Sequence, residues 1–164
     1  MNVNFILDKM KVTPSSPVHY SLSDSENIID FNSLIDKQIQ ILFQNEIFCS
    51  VCKKKTKKSF MNGFCFRCFQ VAPESSPCVL KPELCQGHLG KGRDPEWEEK
   101  YHNKDHIVYL SFTGNLKVGV TRKTNTLSRW IDQGALAAIK LAHTPNRYLA
   151  GCIEVALKKH FSDK

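Results

Sequence analysis

Residues 107–121 read Ile-Val-Tyr-Leu-Ser-Phe-Thr-Gly-Asn-Leu-Lys-Val-Gly-Val-Thr, two alternating runs on either side of a Gly114-Asn115 turn signal. β-Branched and aromatic residues dominate both runs, as in strands that pack on one face. The side-chain period fixes the register. With a two-residue loop, Phe112 shares a face with Lys117, and Val108 and Leu110 fall beside Gly119 and Thr121. With Thr113-Gly114-Asn115 as the loop, 112 pairs with 116, 110 with 118 and 108 with 120. One face is then wholly apolar: Val108, Leu110, Phe112, Leu116, Val118 and Val120. The other gathers Tyr109, Ser111, Lys117, Gly119 and Thr121. A slip of one residue exchanges the faces, so the pattern selects the three-residue loop. The polar face carries a phenol, an ammonium and a glycine that admits close approach, which makes it the candidate functional surface.

Downstream, Leu127, Trp130, Ile131, Ala135, Ala138, Ile139 and Ala142 form one stripe at helical spacing, which predicts a helix over 127–142. Thr144-Pro145 reads as an N-cap and first-turn proline of a second helix, with Leu149, Cys152, Ile153, Ala156 and Leu157 turned inward. Cys152 then reads as a plain buried thiol.

Upstream lie most of the cysteines. Six of the seven fall between residues 49 and 85. Cys49-Ser-Val-Cys52 and Cys65-Phe-Arg-Cys68 are two knuckles with twelve residues between them. Two residues between thiolates let a tight turn aim both sulfurs at one ion. Two such knuckles close a tetrahedral Cys₄ site with no position left for substrate, and zinc is the ion expected. Between them runs Lys53-Lys54-Lys55-Thr56-Lys57-Lys58, five lysines in six residues, an expected phosphate-facing prong. A second group, Cys78, Cys85, His88 and His102, has the types and spacing of a Cys₂His₂ zinc site, with His106 competing for the place of His102. One or two structural Zn²⁺ ions per chain are expected. The region 49–106 carries little apolar periodicity, as when metal replaces a core.

Residues 1–48 read as β-rich. Val18, Tyr20 and Leu22 alternate with polar residues, as do Ile39, Ile41 and Phe43, and Pro14–Pro17 and Ser23-Asp24-Ser25 punctuate them as loops. The whole chain therefore reads as α+β, with a β-rich segment at 1–48, a zinc-binding region at 49–106 and an α/β core at 107–164. No run of about 18 apolar residues is present, so no membrane span is expected. MNVNFILDKM has neither a basic start nor a long apolar core, so no secretory leader is expected either. The chain is read as cytoplasmic, where paired cysteines mean metal and not disulfides. The formal charge of +7 favours a polyanionic partner, DNA or RNA.

Two resemblances follow from these residues. From about Cys49 onward the chain resembles an uncharacterised bacterial family, domain of unknown function 2797. The segments that carry the likeness are Lys58-Ser59-Phe60 with Gly63-Phe64-Cys65, Lys81-Pro82-Glu83-Leu84-Cys85, Val108-Tyr109-Leu110, and Lys117 through Arg122. Arg129 through Ala135, Pro145 through Tyr148, and Gly151 with Ile153-Glu154-Val155 continue it. In addition, residues 107–158 resemble a GIY-YIG nuclease core. That superfamily opens on two antiparallel strands with motif tyrosines, follows with a helix arginine, and holds a divalent ion on a later helix glutamate. The resemblance implies a metal-dependent phosphodiesterase using Mg²⁺ or Mn²⁺. Tyr109 would be the first-motif tyrosine, Arg129 the helix arginine and Glu154 the metal glutamate. Val118-Gly119 would end the second motif, with Lys117 in place of its tyrosine, beside Tyr109, where a cation lowers a phenol's pKa. Arg122 would join the lysines on phosphate. The likeness departs at Lys117, at Gly134 where many members carry a histidine, and in closing elements expected beyond Lys164.

Overall fold

A computed structural model of the chain describes residues 3–24 and 26–161. It divides into two compact units, Met1–Glu46 and Ile47–Lys164. Ser25, in the loop expected at 23–25, lies outside the described residues.

The first unit is a three-stranded antiparallel meander: β1 Lys11–Thr13, β2 His19–Ser23 and β3 Ile28–Asp30. Leu22 is its buried apolar residue. Asn32 ties the meander together, accepting from Tyr20 N–H at 2.7 Å and donating to the Val18 carbonyl at 2.8 Å. The alternation at Ile39, Ile41 and Phe43 does not become a strand. These three side chains are exposed on irregular backbone, because no partner strand among the described residues meets them.

The second unit begins with a short ribbon, β4 Ile47–Phe48 and β5 Lys55–Thr56, followed by helix α1 Phe66–Val71. Short turns at Pro73–Ser75, Pro82–Leu84 and Gly87–Leu89 flank α2 Pro77–Leu80. Helix α3 Pro95–Tyr101 starts on Asp94, whose carboxylate accepts from Trp97 N–H at 3.0 Å, with Pro95 in the first turn. A three-stranded antiparallel sheet follows, in the order β7-β6-β8: β6 His106–Phe112, β7 Leu116–Arg122 and β8 Ala137–Thr144. Helix α4 Thr126–Asp132 precedes β8, and α5 Arg147–Leu157 follows it. No helix among the described residues is long and apolar enough to cross a membrane.

The hairpin register is the one the side-chain period selects: Phe112 faces Leu116, Leu110 faces Val118 and Val108 faces Val120. Gly114, at φ +97°, takes the left-handed position that the loop requires. The apolar face packs on α5, where Val108, Val118 and Ala150 are buried with Ala142, Ile153 and Leu157 against them.

Three expectations fail for local reasons. The helix over 127–142 stops at Asp132. Gly134 sits at φ +65°, its N–H donates to the Ile131 carbonyl, and Ala135 N–H donates to the Trp130 carbonyl. This pair of bonds is a Schellman cap, which overrides the apolar stripe. Leu136 N–H then donates to the Phe112 carbonyl, and residues 137–144 run antiparallel to β6 as a strand. The last helix is capped by Asn146, which accepts from Leu149 N–H at 3.0 Å, so Thr144-Pro145 precedes the cap. Cys152 is exposed; the side of α5 that is buried carries Ala150, Gly151 and Glu154 instead.

Gly151 lets α5 touch the Pro82–Leu84 turn. A Cβ there would stand 2.2 Å from the Glu83 nitrogen and 2.4 Å from the Pro82 carbonyl carbon. Both are backbone atoms, so the helix itself must move. We expect Gly151→Ala to lower the unfolding free energy of the metal-loaded protein by about 1–3 kcal/mol or more, read by urea denaturation. A loss below roughly 0.5 kcal/mol would contradict this packing.

Candidate functional site

The four knuckle cysteines come together. Their sulfurs all lie within 4.8 Å of one another, and no disulfide joins any of the seven cysteines. Cys52 Sγ is 3.9 Å from Cys65 Sγ. Four thiolates about 2.3 Å from a tetrahedral zinc would be roughly 3.8 Å apart, so the spacing fits the ion. Each knuckle is built by its backbone. Lys53, at φ +57°, turns the first one so that its N–H reaches the Cys49 carbonyl at 2.9 Å. The second opens α1, and Cys65 N–H donates to Cys49 Sγ at 3.2 Å.

The thiols divide electrostatically. Burial pushes Cys49 up, but the N–H groups of Cys65, Cys52 and Val51 outweigh it and bring it down to about 6. Burial raises Cys68 to about 12, and its contacts with Cys65, Cys49 and Cys52 add to this. Four thiols at this spacing thus resist ionising together, and a divalent cation is what makes the fully ionised set favourable. Zinc with four thiolates carries a formal charge of −2. The lysine loop between the knuckles supplies positive charge next to it, and Lys53, Lys54, Lys55, Lys57 and Lys58 are all exposed.

Of the second predicted group, Cys78, Cys85 and His102 meet, and all three are buried. His88 is not with them. Its ring stacks on Tyr148 at 4.6 Å between centroids, and the fourth member of the cluster is Glu98. Glu98, on α3, lies four residues before His102, the residue that caps the end of α3, a spacing that puts both on one side of the helix; this is the signal the cysteine-histidine pattern overlooks. His106, the competitor for His102, lies outside the cluster. It is fully buried and hydrogen-bonded through Nδ1 to the Lys104 carbonyl. Burial brings its pKa down to about 4, so the ring is neutral near pH 7.

The polar face of the hairpin is covered, not solvated: Tyr109, Ser111 and Thr121 are buried. The Tyr109 ring lies across Gly119 of β7, where a Cβ would approach its hydroxyl to 2.7 Å. Its hydroxyl donates to Gln133 Oε1 at 2.7 Å, and Trp130 meets the ring edge-on at 6.0 Å. Burial raises the phenol's pKa, Arg129 and Gln133 act to lower it, and Glu154 raises it. Tyr109, Arg129, Gln133 and Glu154, from three separate elements, therefore share one electrostatic environment. Lys117 pairs with Ser111, one position along the face, and the expected lowering of the phenol is not found. Gln133 is a member that the sequence reading passes over. Glu154 has an ammonium nearby, Lys158 Nζ at 3.9 Å. Arg122 lies 5.0 Å over the Tyr101 ring, a cation–π contact. Arg147, readable from sequence as a surface partner of Glu154, instead donates inward to the carbonyls of Cys78 (2.9 Å) and Val79 (2.8 Å).

Compared with known proteins, residues 36–164 match the family described as protein of unknown function (DUF2797). The match spans well over half of the chain, which belongs to that family, as the likeness from Cys49 onward implies. No curated protein and no solved structure matches.

Protein purified without chelator should contain zinc at one equivalent per chain or more, measured by elemental mass spectrometry. Chelation should lower its melting temperature, because a closed structural site contributes folding free energy. Cys49→Ser should cost folded yield as well as zinc. Folded protein containing no transition metal would refute the assignment.

Proposed function

We propose that this member of the DUF2797 family is a zinc-stabilised, nucleic-acid-directed protein of a reducing, cytoplasmic compartment. In this reading 49–106 is its zinc region and 107–164 a GIY-YIG-type phosphodiesterase core. The observation that carries the proposal is the setting of Tyr109: its hydroxyl bonded to Gln133, the Arg129 side chain beside it, and the Glu154 carboxylate adding a weaker charge effect. The order strand, strand, helix, strand, helix over 106–157 supports it, as does the glycine that makes room for the phenol.

Each residue has a role that its chemistry permits. Tyr109 has a raised pKa, so it stays protonated near pH 7 and orients the attacking water by hydrogen bonding. Arg129 is exposed enough to reach a phosphate and meets the charge that develops on its oxygens. Lys117 adds a second positive charge on the same sheet face. Glu154 is the residue that would hold Mg²⁺ or Mn²⁺. A single carboxylate with substrate phosphate and water completing the shell suits these hard ions. The ion would supply positive charge to the scissile phosphate. Lys53, Lys54, Lys55, Lys57, Lys58 and Arg122 would hold the flanking backbone of DNA or RNA.

Two observations favour a second reading. Glu154 already has Lys158 as counter-ion and a lysine stands where the second tyrosine belongs, which suits a binding module without cleavage. The assay that separates the two uses full-length, zinc-loaded protein on single-stranded, duplex and branched DNA and on structured RNA, with Mg²⁺ or Mn²⁺. The nuclease reading expects cleavage that Glu154→Ala and Arg129→Ala each reduce at least about tenfold. Binding without cleavage selects the module.

Binding itself should weaken steeply with salt, and replacing the five loop lysines by glutamine should flatten the slope of log K against log [salt]. No binding to either nucleic acid at low salt would end both readings and leave a zinc-stabilised protein-interaction module as the better account.

A further inference from the structure

The second buried cluster lies apart from the knuckles and from Tyr109, and its chemistry is more specific than its cysteine count implies. Cys78, Cys85, Glu98 and His102 place one donor atom each within 4.8 Å of all the others, and every one of the four is buried. Cys78 Sγ and Cys85 Sγ stand 3.8 and 3.7 Å from His102 Nδ1. Thiolate and imidazole ligands on one tetrahedral zinc would be about 3.6 Å apart. Cys85 Sγ is 3.8 Å from Glu98 Oε2. The fourth edge, Glu98 Oε2 to His102 Nδ1, is a hydrogen bond of 2.5 Å. Replacing its shared proton by an ion opens this edge to roughly 3.3 Å while both atoms keep their aim.

A buried carboxylate is costly unless a cation meets it. Burial raises the pKa of Glu98, and Cys85 raises it further, while His102 opposes both. Yet the fold holds this side chain in a fitted slot. A Cβ on Gly87 would come within 3.0 Å of Glu98 Oε2, and one on Gly92, at φ +154°, within 2.6 Å of its Cγ. Two glycines thus clear space for one carboxylate and point it at two thiols and an imidazole. Alternative partners are elsewhere: His88 is against Tyr148 and His106 is bonded to the Lys104 carbonyl.

Charge balance agrees. Two thiolates, one carboxylate and a divalent ion sum to −1. Arg147 places its guanidinium on the carbonyls of Cys78 and Val79; burial lowers its pKa, and the negative charge of Cys78 and Cys85 works against that lowering. The set becomes neutral as a unit.

We infer that Cys78, Cys85, Glu98 and His102 form a second, closed zinc site, independent of the knuckle site, with Glu98 as the fourth ligand. The thiol protons and the proton shared between Glu98 and His102 leave to water as the ion enters. With all four donors buried the site is structural. It ties α2 and α3 to the start of α5, whose Arg147 N–H also donates to the His102 carbonyl at 2.8 Å.

The test is metal content and the visible spectrum of cobalt-substituted, full-length protein. Wild type should hold two ions per chain, and His88→Ala should also hold two. Glu98→Ala should hold about one. Glu98→Gln, which keeps the reach and shape of the side chain and removes its charge, provides the second reading where Glu98→Ala leaves little folded protein. It should fold, keep the knuckle ion and bind the second cobalt, followed by its visible bands, at least about tenfold more weakly than wild type. One ion in folded wild type, loss of an ion in His88→Ala, or unchanged affinity for the second ion in Glu98→Gln would each overturn the assignment.

Discussion

Thiols held within 4.8 Å of one another set the constraint on which the Ile47–Lys164 unit rests. Ionised, they repel; protonated, they bond weakly and leave polar sulfur inside the protein. A cation resolves the conflict, and the surrounding chain is built as though one were there. The ribbon, the two knuckle turns and α1 share a core whose buried members are Cys49, Phe64, Cys68 and Ala72, so two of the four are themselves sulfur donors. Without the metal bonds this region has too little apolar surface to offset the entropy of ordering its loops.

The sheet supplies the complementary kind of order. β6 is the central strand, bonded on both sides, and its residues from His106 to Tyr109 are fully buried. Val108 anchors the apolar face on α5, while its neighbour Tyr109 is held over Gly119. The ladder to β8 shifts register between Val108 and Tyr109. Such a bulge re-aims one side chain without breaking the sheet, and here it falls at the phenol on which the polar cluster converges.

What the sequence reveals and conceals follows from the range of the forces involved. The hairpin register was legible because period two and one apolar face are local facts, and so were the knuckles. The stripe from Leu127 to Ala142 misled because Ala, Leu and Ile suit a helix face as well as a strand, and residues 137–144 form a largely exposed edge strand. The deciding features were a left-handed Gly134 and an edge of β6 in need of a partner, and the second of these is nonlocal. Helix α3 announces itself through Asp94-Pro95, yet a search for cysteine and histidine spacing passes over it and so misses Glu98. Gln133 carried no local signal at all. Its role exists only because the Schellman turn brings it back towards a strand more than twenty residues earlier.

Helix α5 joins these parts physically. Its first residue, Arg147, is bonded to the backbone of Cys78 and Val79, and its amide to His102. One turn on, Gly151 rests against the turn preceding Cys85. Glu154, two turns from Arg147, acts on the Tyr109 phenol. A helix clamped at its start and again at its middle has little freedom to slide, since a shift would break buried hydrogen bonds or drive a backbone contact below van der Waals distance. The height of the Glu154 carboxylate relative to the phenol is therefore set by the cysteine-bearing loops through α5. A metal ion on the buried Cys78, Cys85, Glu98 and His102 cluster would stiffen the loops that hold this helix, and with them the place of Glu154 beside the sheet.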